Sequence, residues 1–133
     1  MSFAASADKL GLSGNYMCSG YDSHDGAYSN GKLTLTLDAK NSDFANNYGA
    51  YHVLLIESDG TKYVGEIAAS GNDLAIYFEN TDPSSQTDRG VGIAYVTHDK
   101  DAHGNVQTEF HKFYYEPAYM GGGNGSDVCV KTN

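Results

Sequence analysis

Between Tyr48 and Val96 the chain runs through four strand-like segments in quick succession, and this stretch constrains the fold most. In the first of them Tyr51, Val53 and Leu55 alternate with His52, Leu54 and Ile56, a period of two with apolar residues on both faces, as expected of a covered strand. Asp59-Gly60 follows, a dipeptide suited to the positive φ of a two-residue hairpin turn. A second Gly-bearing turn occupies residues 70–73, and Val91, Ile93 and Tyr95 then alternate with Gly92, Ala94 and Val96. Segments this short, doubling back this often, specify an antiparallel meander.

The flanks continue the pattern. In GKLTLTLD, Leu33, Leu35 and Leu37 alternate with Thr34 and Thr36, the mark of a half-buried strand. Strand segments are expected at 13–21, 31–38, 48–57, 61–69, 74–79, 90–98, 106–115 and 127–132, and no helix of ten or more residues is supported. The 16 Gly and 11 Tyr, against 2 Pro and no Trp, suit a tightly turned β protein. The expected fold is all-β: a single up-and-down antiparallel meander of about eight strands, with a closed barrel preferred to a β-sandwich. Closure is preferred because it removes the edge strands that invite aggregation. Residues 1–12 are expected to form a flexible N-terminal segment and 13–133 the single barrel domain.

Cys18 and Cys129 lie in the first and last of these segments. They are either two buried thiols or a disulfide, and closure favours the disulfide because it makes the first and last strands neighbours. Such a bond points to a periplasmic or extracellular (secreted) location. The N-terminus lacks the charged and apolar regions of an intact signal peptide, although Ala5-Ser6-Ala7 has the small-x-small form of a cleavage site. A net charge of −9 repels phosphate backbones and anionic membranes, which argues against a nucleic-acid partner. No apolar run approaches the ~20 residues of a bilayer span, so membrane insertion is not expected.

The Gly14-Asn15-Tyr16 opening of the first strand, the meander with Gly at its turns, and a last strand returning to the first resemble the calycin barrels, the lipocalins and avidins. The resemblance implies a barrel with room for a ligand in its mouth. Those families carry Trp at the aromatic position of the first strand and this chain has none, so no functional residue is carried over.

Tyrosines are the main candidate site residues: Tyr16, Tyr51, Tyr63, Tyr77, Tyr95 and Tyr115 lie in strands and, if inward, would line a polar-aromatic ligand pocket rather than fill a core. Two acidic loops are candidate sites for Ca²⁺ or another divalent metal, and no other cofactor is expected. One is Asp22, His24 and Asp25; the other holds Asp99 and Asp101 at the first and third positions of an EF-hand-like run that has Phe110 where the last ligand should stand. In a meander the loops after odd strands share one end. That groups residues 22–26, Asp59-Gly60, residues 80–88 and the Gly-rich run 120–125, and places residues 99–105 at the opposite end.

No nucleophile elbow and no phosphate-cradling loop before a helix is present. The leading expectation is a secreted or periplasmic binding protein that holds a small molecule in the barrel mouth or a macromolecular partner on an aromatic surface. The run from His111 to Tyr119 would supply that surface, which also leaves room for a homodimer. Two alternatives stand beside it: a structural barrel with a filled core, and a barrel-cavity isomerase, cyclase or hydrolase using Tyr, His and Glu.

Overall fold

A computed structural model describes residues 7–133. Eight antiparallel strands follow one another around a closed barrel: β1 (Gly14–Asp22), β2 (Gly26–Leu37), β3 (Tyr48–Ile56), β4 (Lys62–Ser70), β5 (Asp73–Asn80), β6 (Arg89–Lys100), β7 (Val106–Glu116) and β8 (Gly123–Lys131). Apart from four short 3₁₀ turns, no helix occurs among the described residues, and none is long and apolar enough to cross a membrane.

The seam closes where β1 pairs with β8, and Cys18 stands directly opposite Cys129 there. The two are joined by a disulfide with a Cα–Cα separation of 4.1 Å. This bond is compatible with an oxidising, extracellular or periplasmic location. It links residues 111 apart in sequence, a closure worth up to about 4–5 kcal/mol in the chain-entropy account.

Alternate side chains of each strand point inward, and the interior divides into two zones along the barrel axis. Towards the end that carries the chain termini, Leu35, Tyr51, Ile67, Leu74, Val96 and Phe110 form a packed apolar core. Leu12 plugs this end and is fully buried. The segment expected to be loose is therefore anchored from Asp8 onward. The Asp8 carboxylate accepts the backbone N–H groups of Leu10, Leu12 and Ser13 and the hydroxyls of Ser13 and Tyr51. Residues 1–6, including Ala5 and Ser6 of the cleavage-like motif, lie outside the described residues.

Two strands are longer than their periodicity suggests. β2 starts at Gly26 because a β-bulge interrupts it: Cys18 pairs with Gly31 and Gly20 with Tyr28, so two residues of β2, Ser29 and Asn30, face one of β1, Ser19. Asn30 takes up the extra residue at φ 63°, a left-handed conformation that Asn tolerates. β8 starts at Gly123, so the last part of the Gly-rich run is strand. A side chain at Gly125 would collide with the Tyr114 ring lying across it.

Candidate functional site

At the opposite end of the barrel the interior turns polar. A cavity of about 100 Å³ opens there, floored by Leu33, Val53 and Ile76 and walled by Phe78. Its rim comes from the loops after β1, β3, β5 and β7, which contribute Asp25, Glu57, Asp88 and Tyr119. These are the loops that the meander groups at one end. A wider depression of about 520 Å³ lies outside the barrel beside residues 80–89. Its lining is largely exposed and brings no buried polar groups together.

Four buried carboxyl groups converge on the cavity, each with its own donors. Asp22, at the end of β1, accepts the Tyr114 hydroxyl at 2.6 Å on Oδ2. Its Oδ1 takes the backbone N–H groups of His24 and Asp25 at 2.8 and 3.1 Å. Asp88, just before β6, accepts the Tyr63 hydroxyl at 2.6 Å and the Asn80 side-chain amide at 2.9 Å, both on Oδ2. Asp127 in β8 accepts the Tyr28 hydroxyl at 2.6 Å and pairs with the Lys112 ammonium at 3.0 Å. The fourth, Glu116 at the end of β7, is 4 % exposed, and its Oε2 has no hydrogen-bond partner.

The electrostatics follow from this crowding. Burial pushes the Glu116 carboxyl up to about 9, helped by its hydrogen bond to Asp88 and by the charges of Asp88, Asp22 and Asp25. Glu57 rises to about 7, through burial first and then the neighbouring carboxylates of Asp59 and Asp88. Burial also acts on Asp22 in the same direction, but the Tyr114 hydroxyl and the two backbone N–H donors outweigh it and hold this carboxyl below its usual value. The tyrosines that donate to these carboxylates are driven well above their ordinary range, by burial and then by the adjacent Asp: Tyr28 by Asp127, Tyr63 by Asp88 and Tyr114 by Asp22. They remain hydroxyl donors at any ordinary pH.

The aromatic wall is continuous. Phe78 meets Tyr63 edge-on at a centroid distance of 5.9 Å and Tyr114 at 5.6 Å. The Lys112 ammonium lies over the Phe78 and Tyr114 rings at 5.9 and 5.4 Å. Two glycines make room for this cluster. Gly125 gives way to the Tyr114 ring, and a side chain at Gly90 would come within 3.0 Å of the Phe78 ring.

Of the expected tyrosines, Tyr63 lines the cavity. Tyr16 and Tyr51 are buried in the packed zone, where their hydroxyls donate to the Leu12 carbonyl and to Asp8. Tyr77, Tyr95 and Tyr115 project outward and are 38, 48 and 56 % exposed. For these three the inward placement is corrected, because β5 and β6 turn Phe78 and the small residues Gly90, Gly92 and Ala94 to the interior, and β7 turns Tyr114. Together with the exposed Val91, Ile93 and Phe113 they form an apolar outer face across β5, β6 and β7.

The acidic loops are organised as turns. Asp22 spends its oxygens on the donors just described, and Asp101 Oδ1 accepts the backbone N–H groups of His103 and Asn105. Asp99 lies within β6, at the far end of the barrel from Asp22, His24 and Asp25. Among the described residues no group of three or more His, Cys, Asp or Glu side chains is placed to hold a metal ion. The residues that periodicity missed are Tyr28, Glu57, Asp88, Lys112, Glu116 and Asp127. Lys112, Tyr114 and Glu116 share the phase of Phe110 in β7, which is the one signal that points to them.

The fold and site define an eight-stranded antiparallel barrel with an acidic, tyrosine-lined mouth, an architecture consistent with a calycin-like barrel. No protein-family model, curated protein or solved structure matches the chain.

Proposed function

We propose that this is a small binding protein that holds a small molecule in the mouth of its barrel and works outside the cell or in a periplasm. One observation carries the reading: buried Asp22, Asp88, Glu116 and Asp127 converge with three tyrosine hydroxyls around a cavity that has an apolar floor. A few placed polar groups over an apolar base are the general make-up of ligand sites. At about 100 Å³ the cavity is smaller than sites for drug-sized ligands. It suits a small molecule or the end group of a larger one. The disulfide supports the compartment.

The test is a thermal-shift screen of the full chain against a metabolite library, with hits mapped by NMR. The expected result is stabilisation by a subset of small compounds, with chemical-shift changes at Tyr63, Tyr114 and Glu116. A library that leaves the melting temperature unchanged would return the barrel to a purely structural role.

One observation favours a second reading, a barrel-cavity enzyme. Glu116, raised to about 9, holds a proton at neutral pH beside the buried Asp88 side chain, and a buried carboxylic acid that keeps its proton at neutral pH is suited to act as a general acid. Incubating each hit with the protein and following its NMR spectrum over hours separates the two. Conversion lost in Glu116→Gln means an enzyme, and an unchanged ligand means a binder.

A further inference from the structure

The polar groups of the mouth also say which chemical class it would take. Six of the residues lining the cavity carry carboxyl groups, against one ammonium, that of Lys112. An anion is repelled by such a site. A neutral ligand without a donor leaves Glu116 Oε2 as it stands, buried and unpartnered, a costly state for a carboxyl oxygen.

Lys112 shows what the walls accept. Its ammonium is held by Asp127 at 3.0 Å and lies over the Phe78 and Tyr114 rings, so a carboxylate and aromatic faces already solvate one alkylammonium here. Lys112 cannot serve Glu116 in the same way. It pairs across the ladder with Asp127, and four residues of strand put its backbone about 13 Å from that of Glu116. Glu116 Oε2 is left for a donor from outside.

We infer that the mouth binds a small organic cation, a primary ammonium on a compact apolar or aromatic body, with the ammonium seated against Glu116 and Asp88 and the body against Phe78 and the apolar floor. The inference rests on the reading of the mouth as a ligand site and specifies its ligand. An organic cation fits better than a metal ion, since among the described residues no group of three or more ligating side chains is arranged to hold one.

Binding of this kind exchanges one cation for another. The free protein carries a proton on Glu116. The incoming ammonium supplies hydrogen bonds to the Glu116–Asp88 pair, and the proton leaves to solvent, so charge and protons balance. The other groups facing Glu116 must be counted too. Asp22, held below its usual value, stays ionised and favours the cation, and the carboxyl groups of Asp25 and Asp88 line the same cavity. Tyr63 and Tyr114, from β4 and β7, stay protonated, as do Tyr28 on β2 and Tyr119 in the loop after β7. Lys112 and Asp127 neutralise each other deeper in the barrel. Glu57, across the rim, also titrates near neutrality, so Glu57→Gln measures its share of the proton release.

The experiment titrates the full-length protein with benzylamine (protonated at neutral pH), benzyl alcohol and benzoate, read by ¹⁵N NMR and by calorimetry in two buffers of different ionisation enthalpy. Benzylamine is expected to bind and the other two not. Its affinity should rise by up to about tenfold per pH unit between about pH 6 and 8, with close to one proton released. Glu116→Gln should abolish most of that release and weaken binding about tenfold or more, while Glu66→Gln, exposed on the outer surface of β4 and away from the cavity, should change neither. A ¹⁵N spectrum of Glu116→Gln that retains the wild-type dispersion shows that the loss is not unfolding. Benzyl alcohol binding as tightly as benzylamine would overturn the cation while leaving the ligand site intact. Failure of all three overturns it as well, and the ligand-site reading then falls only if the metabolite library is also blank.

Discussion

Glu116 is the residue on which the physics of the molecule turns. It is a carboxylic acid in a place that disfavours its ionised form, and that has a consequence for stability whether or not a ligand is present. Its folded value of about 9 lies above the ordinary 4.5, so the native state holds a proton that the unfolded chain releases. Stability from this proton is fully present below about pH 4.5 and is lost progressively as pH rises through about 9, at roughly 1.4 kcal/mol per pH unit. Glu57, raised to about 7, adds a loss of the same sign over its lower part. Asp8 and Asp22 act oppositely: both are held below 3.8, so their contribution is present above that value and disappears as the medium is acidified below it. Stability should therefore peak on the acid side of neutrality. Urea midpoints measured from pH 4 to 9 check this. In Glu116→Gln, whose amide keeps the shape and stays neutral, the alkaline decline should shrink by about one proton's slope. An unchanged decline would mean that Glu116 is ionised in the native protein.

At the scale of the strand, what could be read from the sequence depended on contrast between the two faces. β2 from Leu33 to Leu37 is legible because Leu alternates with Thr, and the meander from β3 to β6 is legible from its turns. The strand at β7 is legible but its faces are not, since Phe113 and Tyr115 on one face are as apolar as Phe110 and Tyr114 on the other. Bulk misleads in β6: Val91, Ile93 and Tyr95 face out, and Gly90, Gly92 and Ala94 face in to leave space for the aromatic wall. Tyr28 was hidden by the bulge at Asn30, because an extra residue reverses the phase of everything before it. Two predictions belong here. Gly125→Ala pushes a methyl into the Tyr114 ring. It should cost about 1–3 kcal/mol by overpacking, and the Tyr114 hydroxyl should lose its hold on Asp22, seen as NMR shifts at His24 and Asp25. Asp8→Ala removes the acceptor of five hydrogen bonds at the sealed end. A loss of about 2–3 kcal/mol, with faster amide exchange at Leu12 and Ser13, is expected. Unaltered exchange there would mean that the plug is held by Leu12 alone.

For the whole molecule the decisive contact is the seam between β1 and β8, the longest-range pairing in the chain. Seven register pairs join the two strands, from Tyr16 opposite Lys131 to Asp22 opposite Gly125. This seam fixes both ends of the barrel. At the sealed end Asn15 bonds to Asn133. At the mouth Ser23 and Asn124 bond to each other through backbone and side chain, which places Asp22 next to the loop that follows β7. The ladder would persist without the disulfide, because its hydrogen bonds and the apolar zone behind it do not depend on sulfur. What the disulfide changes most is the unfolded chain, which it closes into a loop of about a hundred residues. A Cys18→Ala/Cys129→Ala double variant should therefore still fold to the same barrel, with the same NMR dispersion and the same mouth. Its stability should be lower by several kcal/mol, up to about 4–5 from the loop alone. Its urea slope should be steeper, since an uncrosslinked chain exposes more surface when it unfolds. Equal midpoint and slope in the variant would show that the seam is stable enough to make the crosslink redundant. A variant that loses the spectrum altogether would show that the seam cannot close unaided, and that the acidic mouth exists only in the oxidised protein.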